Sequence, residues 1–276
     1  MVRWGLIAIA SSMVGCASTW DTVSNRQWQK DLWSRPGAAL FGEEPMTVLR
    51  TNPDGHARAK AMLKLQPPDR QTEEYAEAMG YLAEAAGGDP SPVVRAAAIQ
   101  ALGRFRDNEK TVQVLQNAYG QANGPGASTP AEPGMPGMLF GPTGYPPEIV
   151  SMLKVKVINA MAEVDHPDSR QFVSRIATTV PEGKSSPVDR DVRLAAISAM
   201  AKDKSPQSAK LLHHVMTLEQ NRDTAMANRA HEGLMALSGQ RLPMTSPEWG
   251  RVVHDAMEIA PEPNAIQRAA AWVTVP

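Results

Sequence analysis

The stretch Asp89-Pro90-Ser91-Pro92-Val93-Val94-Arg95-Ala96-Ala97-Ala98-Ile99-Gln100-Ala101-Leu102-Gly103 carries the architecture, because weaker copies of it recur along the chain at a nearly constant spacing. Asp89-Pro90-Ser91-Pro92 reads as a helix start: Asp or Ser accepts from orphan backbone N–H groups, and proline is tolerated in the first turn. Val94, Ala98, Ala101, Leu102 and Phe105 then follow at steps of three and four, one apolar stripe with Arg104 and Arg106 off it. Much of that stripe is alanine. Side chains this small let neighbouring helices come close, so the spacing predicts a helix packed between two others.

Val94-Arg95 followed by Ala98-Ile99 and Ala101-Leu102 serves as a ruler for the rest. Leu153-Lys154 with Val157-Ile158 and Ala160-Met161 fits it throughout, as does Val192-Arg193 with Ala196-Ile197 and Ala199-Met200. Ala57-Arg58 with Ala61-Met62 and Leu65 is weaker, since Lys64 stands where alanine is expected. Arg229-Ala230 with Gly233-Leu234 and Ala236-Leu237 keeps the apolar face and loses the register of the basic residue. The basic position recurs after 37 residues from Arg58 to Arg95, 39 from Lys154 to Arg193 and 37 from Arg193 to Ala230. From Arg95 to Lys154 the interval is 59, and it contains an insertion from Gly120 to Pro147. A two-helix unit of this period predicts a solenoid, in which no unit buries its apolar face alone.

The order Asp89, then Val94-Arg95, then Ala98, Ala101 and Leu102 resembles HEAT repeats, with a period slightly below the roughly 40–47 residues of that family. The resemblance spans about residues 45–240. It implies an all-α fold, a right-handed α-solenoid of about five helical hairpins, and a binding role rather than a chemical one. Arg229 to Gln240, followed by Pro247-Glu248-Trp249, also resembles the closing segment of bacterial HEAT-repeat envelope proteins. In such stacks the basic position, here Arg58, Arg95, Lys154 and Arg193, is structural and bonds to acidic and backbone groups of the neighbouring repeat.

Four segments are expected outside or within the repeats of residues 46–240. Residues 1–15 carry Arg3, an apolar run from Trp4 to Ala10 and small residues before Cys16, the pattern of a secretory signal. Met13-Val14-Gly15-Cys16 resembles a bacterial lipobox, with Met13 where leucine is usual. It implies cleavage before Cys16 and acylation of that residue, the single cysteine of the chain. Ala17 after it implies the outer membrane rather than retention at the inner one. The other reading of Cys16 is an incidental thiol in an ordinary signal peptide. Residues 16–45 hold Trp20, Trp28, Trp33 and Phe41, read either as a cap over the first repeat, which we favour, or as an interfacial belt beside the lipid.

The insertion at 120–147 has seven glycines, seven prolines and one charge, Glu132, and is expected to be a loop. Its apolar island Met138-Leu139-Phe140, with Tyr145 nearby, is either tolerated surface or a docking element for a partner. Residues 241–276 are expected to form capping helices, with Trp249, Val252, Val253 and Met257 on one side of the first and Trp272 in the last.

No catalytic or metal-binding constellation, and no cofactor motif, emerges. His231-Glu232 is a single pair, and a solvated histidine accounts for it. His213 and His214 are adjacent and project about 100° apart on a helix, not at the i, i+4 spacing of a helical zinc site. Walker and Gly-x-Ser-x-Gly patterns are missing. With 28 basic against 29 acidic residues and a pI near 6.6, the footprint of a nucleic-acid binder is missing too. The expectation is therefore a non-catalytic lipoprotein of the cell envelope, anchored by its N-terminal lipid and facing the periplasm, that holds another envelope protein. The alternative is a lyase-like or enzyme-accessory protein with a small ligand in the solenoid groove.

Overall fold

The computed structural model describes residues 44–124, 144–180 and 186–254. Cys16 and the whole of residues 1–43 lie outside them, as do Met138, Leu139 and Phe140, residues 181–185, Met257 and Trp272. Eleven α-helices and no strand occur among the described residues.

Five hairpins follow one another. They are α1 (Pro45–Thr51) with α2 (Gly55–Lys64), α3 (Glu73–Gly88) with α4 (Pro92–Leu102), α5 (Glu109–Gly120) with α6 (Pro147–Val164), α7 (Pro167–Thr178) with α8 (Pro187–Met200), and α9 (Pro206–Glu219) with α10 (Thr224–Ser238); α11 (Glu248–His254) closes the series. The second helices α2, α4, α6, α8 and α10 lie side by side in one layer, and α3, α5, α7, α9 and α11 form the other. The all-helical solenoid read from the repeat is the observed fold.

Local chemistry explains where each helix begins. Six helices open on a proline, whose missing N–H falls among the unpaired donors of a first turn. Asp54, Thr72, Asn108, Ser205 and Asp223 each cap a helix by accepting from its first free N–H groups. At the founding stretch the roles divide. Ser91 occupies the cap position without a side-chain cap bond, while Asp89 Oδ1 accepts from the Ser91 N–H at 2.8 Å and shapes the turn.

The core runs continuously between the two layers. In α4 eight of eleven residues are buried, Val94, Arg95, Ala96, Ala97, Ala98, Ile99, Ala101 and Leu102, as a helix held between α2 and α6 on its flanks and α3 behind must be. A stripe of leucines would hold these helices apart; the alanines let them approach. Two glycines mark the tightest points. A Cβ on Gly103 would stand 3.1 Å from the Ala160 Cα, and one on Gly233 would stand 2.9 Å from the Ala201 Cβ. No described helix is long and apolar enough to cross a membrane.

Candidate functional site: the basic ladder and the second-helix face

The ladder residues occupy one position on successive second helices, and three of them turn towards the ends of first helices. Arg95, 1% exposed, donates from Nε to the Ala86 carbonyl at 3.1 Å and from Nη2 to the Gln121 carbonyl at 2.7 Å. These carbonyls lie in the last turn of α3 and just beyond α5. Arg193 repeats the arrangement one unit on: Nη2 donates to the Ala177 carbonyl at 3.3 Å, near the end of α7, and to Glu219 Oε1 at 2.7 Å, at the end of α9. Arg58 pairs with Asp89 Oδ2 at 3.2 Å, at the C-terminus of α3. Cations at helix C-termini complement the helix dipole and satisfy carbonyls that have no partner within the helix. Lys154 differs, its ammonium standing 5.2 Å from the centre of the Tyr119 ring on α5. The fifth position is Ala230.

Tyr145 is set into this framework. Its hydroxyl donates to the Pro90 carbonyl at 2.7 Å, its ring lies 5.6 Å from the Arg95 guanidinium, and its N–H donates to the Asn123 carbonyl at 2.8 Å. The ring also lies against Gly124, whose φ is +93° and where an added Cβ would stand 3.0 Å from it. The backbone bond and the ring fasten the two ends of the insertion together, and the hydroxyl fastens them to the second hairpin.

The histidines hold the C-terminal end. His231 was read as solvated and is instead half-buried. Its Nε2 lies 2.7 Å from the Leu242 carbonyl, which only accepts, so Nε2 carries the proton. Its ring stands edge-on to Trp249, with centroids 5.6 Å apart, and the Trp249 Nε1–H donates to the Pro243 carbonyl at 3.0 Å. His213 of α9 meets His254 of α11 edge-on with centroids 6.5 Å apart, and burial first, then the neighbouring His254 and His214, pushes its pKa down. Among the described residues no group of three or more His, Cys, Asp or Glu side chains is placed to hold a metal ion.

Two surfaces remain. One is a cleft of about 510 Å³ where α6 and α8 end, with Met161, Ala162, Val173 and Met200 among its apolar walls and Arg106, Glu163, Lys202 and Lys204 at its rim. Its Arg170 Nη1 lies 3.5 Å from Asp165 Oδ1 and 4.0 Å from Asp203 Oδ1, so much of the charge there is internally matched. The other is the outward side of the second-helix layer, opposite the first helices. There Lys156 of α6 donates from Nζ to Gln100 Oε1 of α4 at 3.5 Å, and burial holds its pKa below the usual lysine value. The ladder was visible in the sequence; Lys156 was not, although a lysine two residues past Lys154 falls about 200° around the helix, away from the core.

Residues 43–129 match the family model of HEAT repeats. No curated protein and no solved structure matches the chain. The match covers the first two hairpins and α5, so residues 43–129 are HEAT repeats, and two-helix units of the same kind stack onward to Ser238 as an all-helical solenoid.

Proposed function

We propose that this protein is a non-catalytic adaptor of the bacterial cell envelope, tethered by a lipid on Cys16 to the outer membrane and facing the periplasm, where its solenoid surface holds another envelope protein. The observation that carries this reading is where the polar groups of the repeat are used. Arg58, Arg95 and Arg193 serve the fold's own helix ends, which leaves a long continuous side of the second-helix layer for a partner. Extended repeat surfaces of this kind suit protein partners. The lipobox-like Met13-Val14-Gly15-Cys16 supports the anchor, since several acyl chains at about 0.8 kcal/mol per buried methylene hold a chain at a membrane without a spanning helix.

The test is membrane fractionation of intact cells with crosslinking capture, comparing the wild type with Cys16→Ser. The expected outcome is membrane association lost in Cys16→Ser and one reproducible protein captured by the wild type. Recovery of the wild type as a soluble protein without a partner would overturn the reading. The cleft at the ends of α6 and α8 favours a second reading, a small ligand held against Met161, Val173 and Met200 with Arg106 and Lys202 at the rim. A thermal-shift screen of small acids and amines checks it, with Ala162→Trp, which fills the cleft, abolishing any shift.

A further inference from the structure

Charge is sorted between the two layers in the first half of the solenoid. Helices α2 and α4 contain no aspartate or glutamate, and α6 contains them only at its ends, as Glu148 and Glu163. Basic residues lie along all three: Arg58, Lys60 and Lys64, then Arg95, then Lys154 and Lys156. The carboxylates of the second hairpin sit on its first helix instead, as Glu73, Glu74, Glu77 and Glu84 of α3. Arg58 is paired with Asp89, but binding Arg95 to carbonyls orients its charge without neutralising it, so with Lys154 and Lys156 it leaves the α4–α6 part of this layer electropositive. In α8 and α10 carboxylates return, with Asp189, Asp191 and Glu232.

Lys156 is the point at which this potential meets the outward side. Its ammonium is already partly removed from water between α4 and α6, so an arriving carboxylate gains attraction in a medium of lower dielectric than bulk solvent. By helical spacing the half-buried Met152 and Val155 lie on the same side of α6, and Leu194 of α8 holds the position equivalent to Val155. A cation and an amide flanked by apolar shoulders suit a carboxylate with hydrophobic neighbours. No Phe, Tyr or Trp occurs in α2, α4 or α6, so the stacking platforms that single-stranded nucleic acid needs are missing from this side.

We propose that the outward side of the second-helix layer across the first three hairpins docks an extended acidic segment of a protein partner, with one carboxylate seated at Lys156 and Gln100 and apolar side chains resting on Met152, Val155 and Leu194. This deepens the adaptor reading and rests on it. The segment runs where α2, α4 and α6 lie side by side and ends where Asp191 turns the potential over.

The test is fluorescence anisotropy of the full-length chain in detergent with a labelled ten-residue peptide of alternating glutamate and leucine, beside its lysine-for-glutamate counterpart. The expected result is saturable binding of the glutamate peptide alone. Lys156→Gln weakens it about fivefold, the effect of one partly exposed charge pair, and Lys156→Glu about twentyfold. Lys210→Glu, the same change of charge on the exposed side of α9, leaves it unaltered. Circular dichroism confirms that each variant is folded, and Lys156→Gln carries the test if charge reversal disturbs packing. Equal weakening by Lys210→Glu, or wild-type binding by folded Lys156→Gln, overturns the proposal. Tighter, Lys156-dependent binding of a ten-nucleotide thymidine strand overturns the choice of partner. In the envelope capture experiment, a partner retained by Lys156→Gln sinks this surface and leaves the adaptor standing. Peptide binding at Lys156 in a chain that captures no envelope protein does the reverse.

Discussion

At the scale of single residues, the arginines of the ladder are cross-braces rather than bait for a ligand. Arg193 and Glu219 are both nearly inaccessible, with side chains 6% and 3% exposed, and each is stranded if the other is removed. Breaking such a pair on one side costs about 3–5 kcal/mol, while replacing both partners with apolar residues of similar size is often neutral. Arg193→Met is therefore expected to lower unfolding free energy in urea by about that amount, and Arg193→Met with Glu219→Leu to recover most of it. A double variant as unstable as the single one would show that the carbonyl of Ala177, and not Glu219, is the important partner. Arg190 and Asp223 form a similar pair at 2.7 Å nearer the surface, where the hydrogen bond raises the pKa of one and lowers that of the other.

At the scale of elements, the insertion between α5 and α6 is closed at its base. Asn123 and Tyr145 are bonded through the backbone, and Tyr145 is bonded in turn to the start of α4. Once the ends are fixed, the length between them matters little, because loop-closure entropy grows only as the logarithm of length. Joining Gly124 directly to Gly144 is expected to leave the melting temperature within about 2 °C of the wild type. Tyr145→Ala loses the hydroxyl bond to Pro90 and the packing on Gly124 and Arg95, and is expected to cost about 2 kcal/mol. The two measurements together separate the clasp from the segment it closes. Gly103 and Gly233 act at the same scale, since a side chain at either would push apart helices whose separation the alanines set.

At the scale of the whole molecule, the stack runs through the described residues from α1 to α11, and its last contact is the one between α9 and α11. Trp249 and Val253 of α11 are buried in the core beside α9. The contact between α9 and α11 includes His213, whose folded-state pKa lies below its ordinary value of 6.5. The sign follows from linkage: the unfolded chain takes up a proton near pH 6.5 that the folded chain resists, so stability is greatest above that pH and falls as pH drops through it towards the lowered value. Melting temperature is expected to decline from pH 7.5 to 5.5, with amide exchange in α11 rising before that in α4. His213→Phe is expected to flatten the slope. An unchanged slope in that variant would place the sensitivity in another histidine.

Residue order alone was enough for the repeat, its period and the all-helical solenoid, because each depends on spacing along one helix and on apolar side chains needing a common side. The start of α4 at Pro92 and its packing between neighbouring helices were legible for the same reason: its apolar stripe is built on alanines small enough to let other helices come close. What spacing could not supply was any pairing between residues far apart in the chain. Tyr145, readable from the sequence as tolerated surface or as part of a docking element, is brought by folding within 2.7 Å of the Pro90 carbonyl, 55 residues earlier. His231 read as solvated until the Leu242 carbonyl and the Trp249 ring closed on it. Nothing in the sequence singled out Lys156, whose character comes from Gln100 of α4 beside it and from neighbouring helices that take away part of its water. Periodicity is a one-dimensional property and survives without coordinates. Desolvation and long-range hydrogen bonds exist only once the layers have stacked.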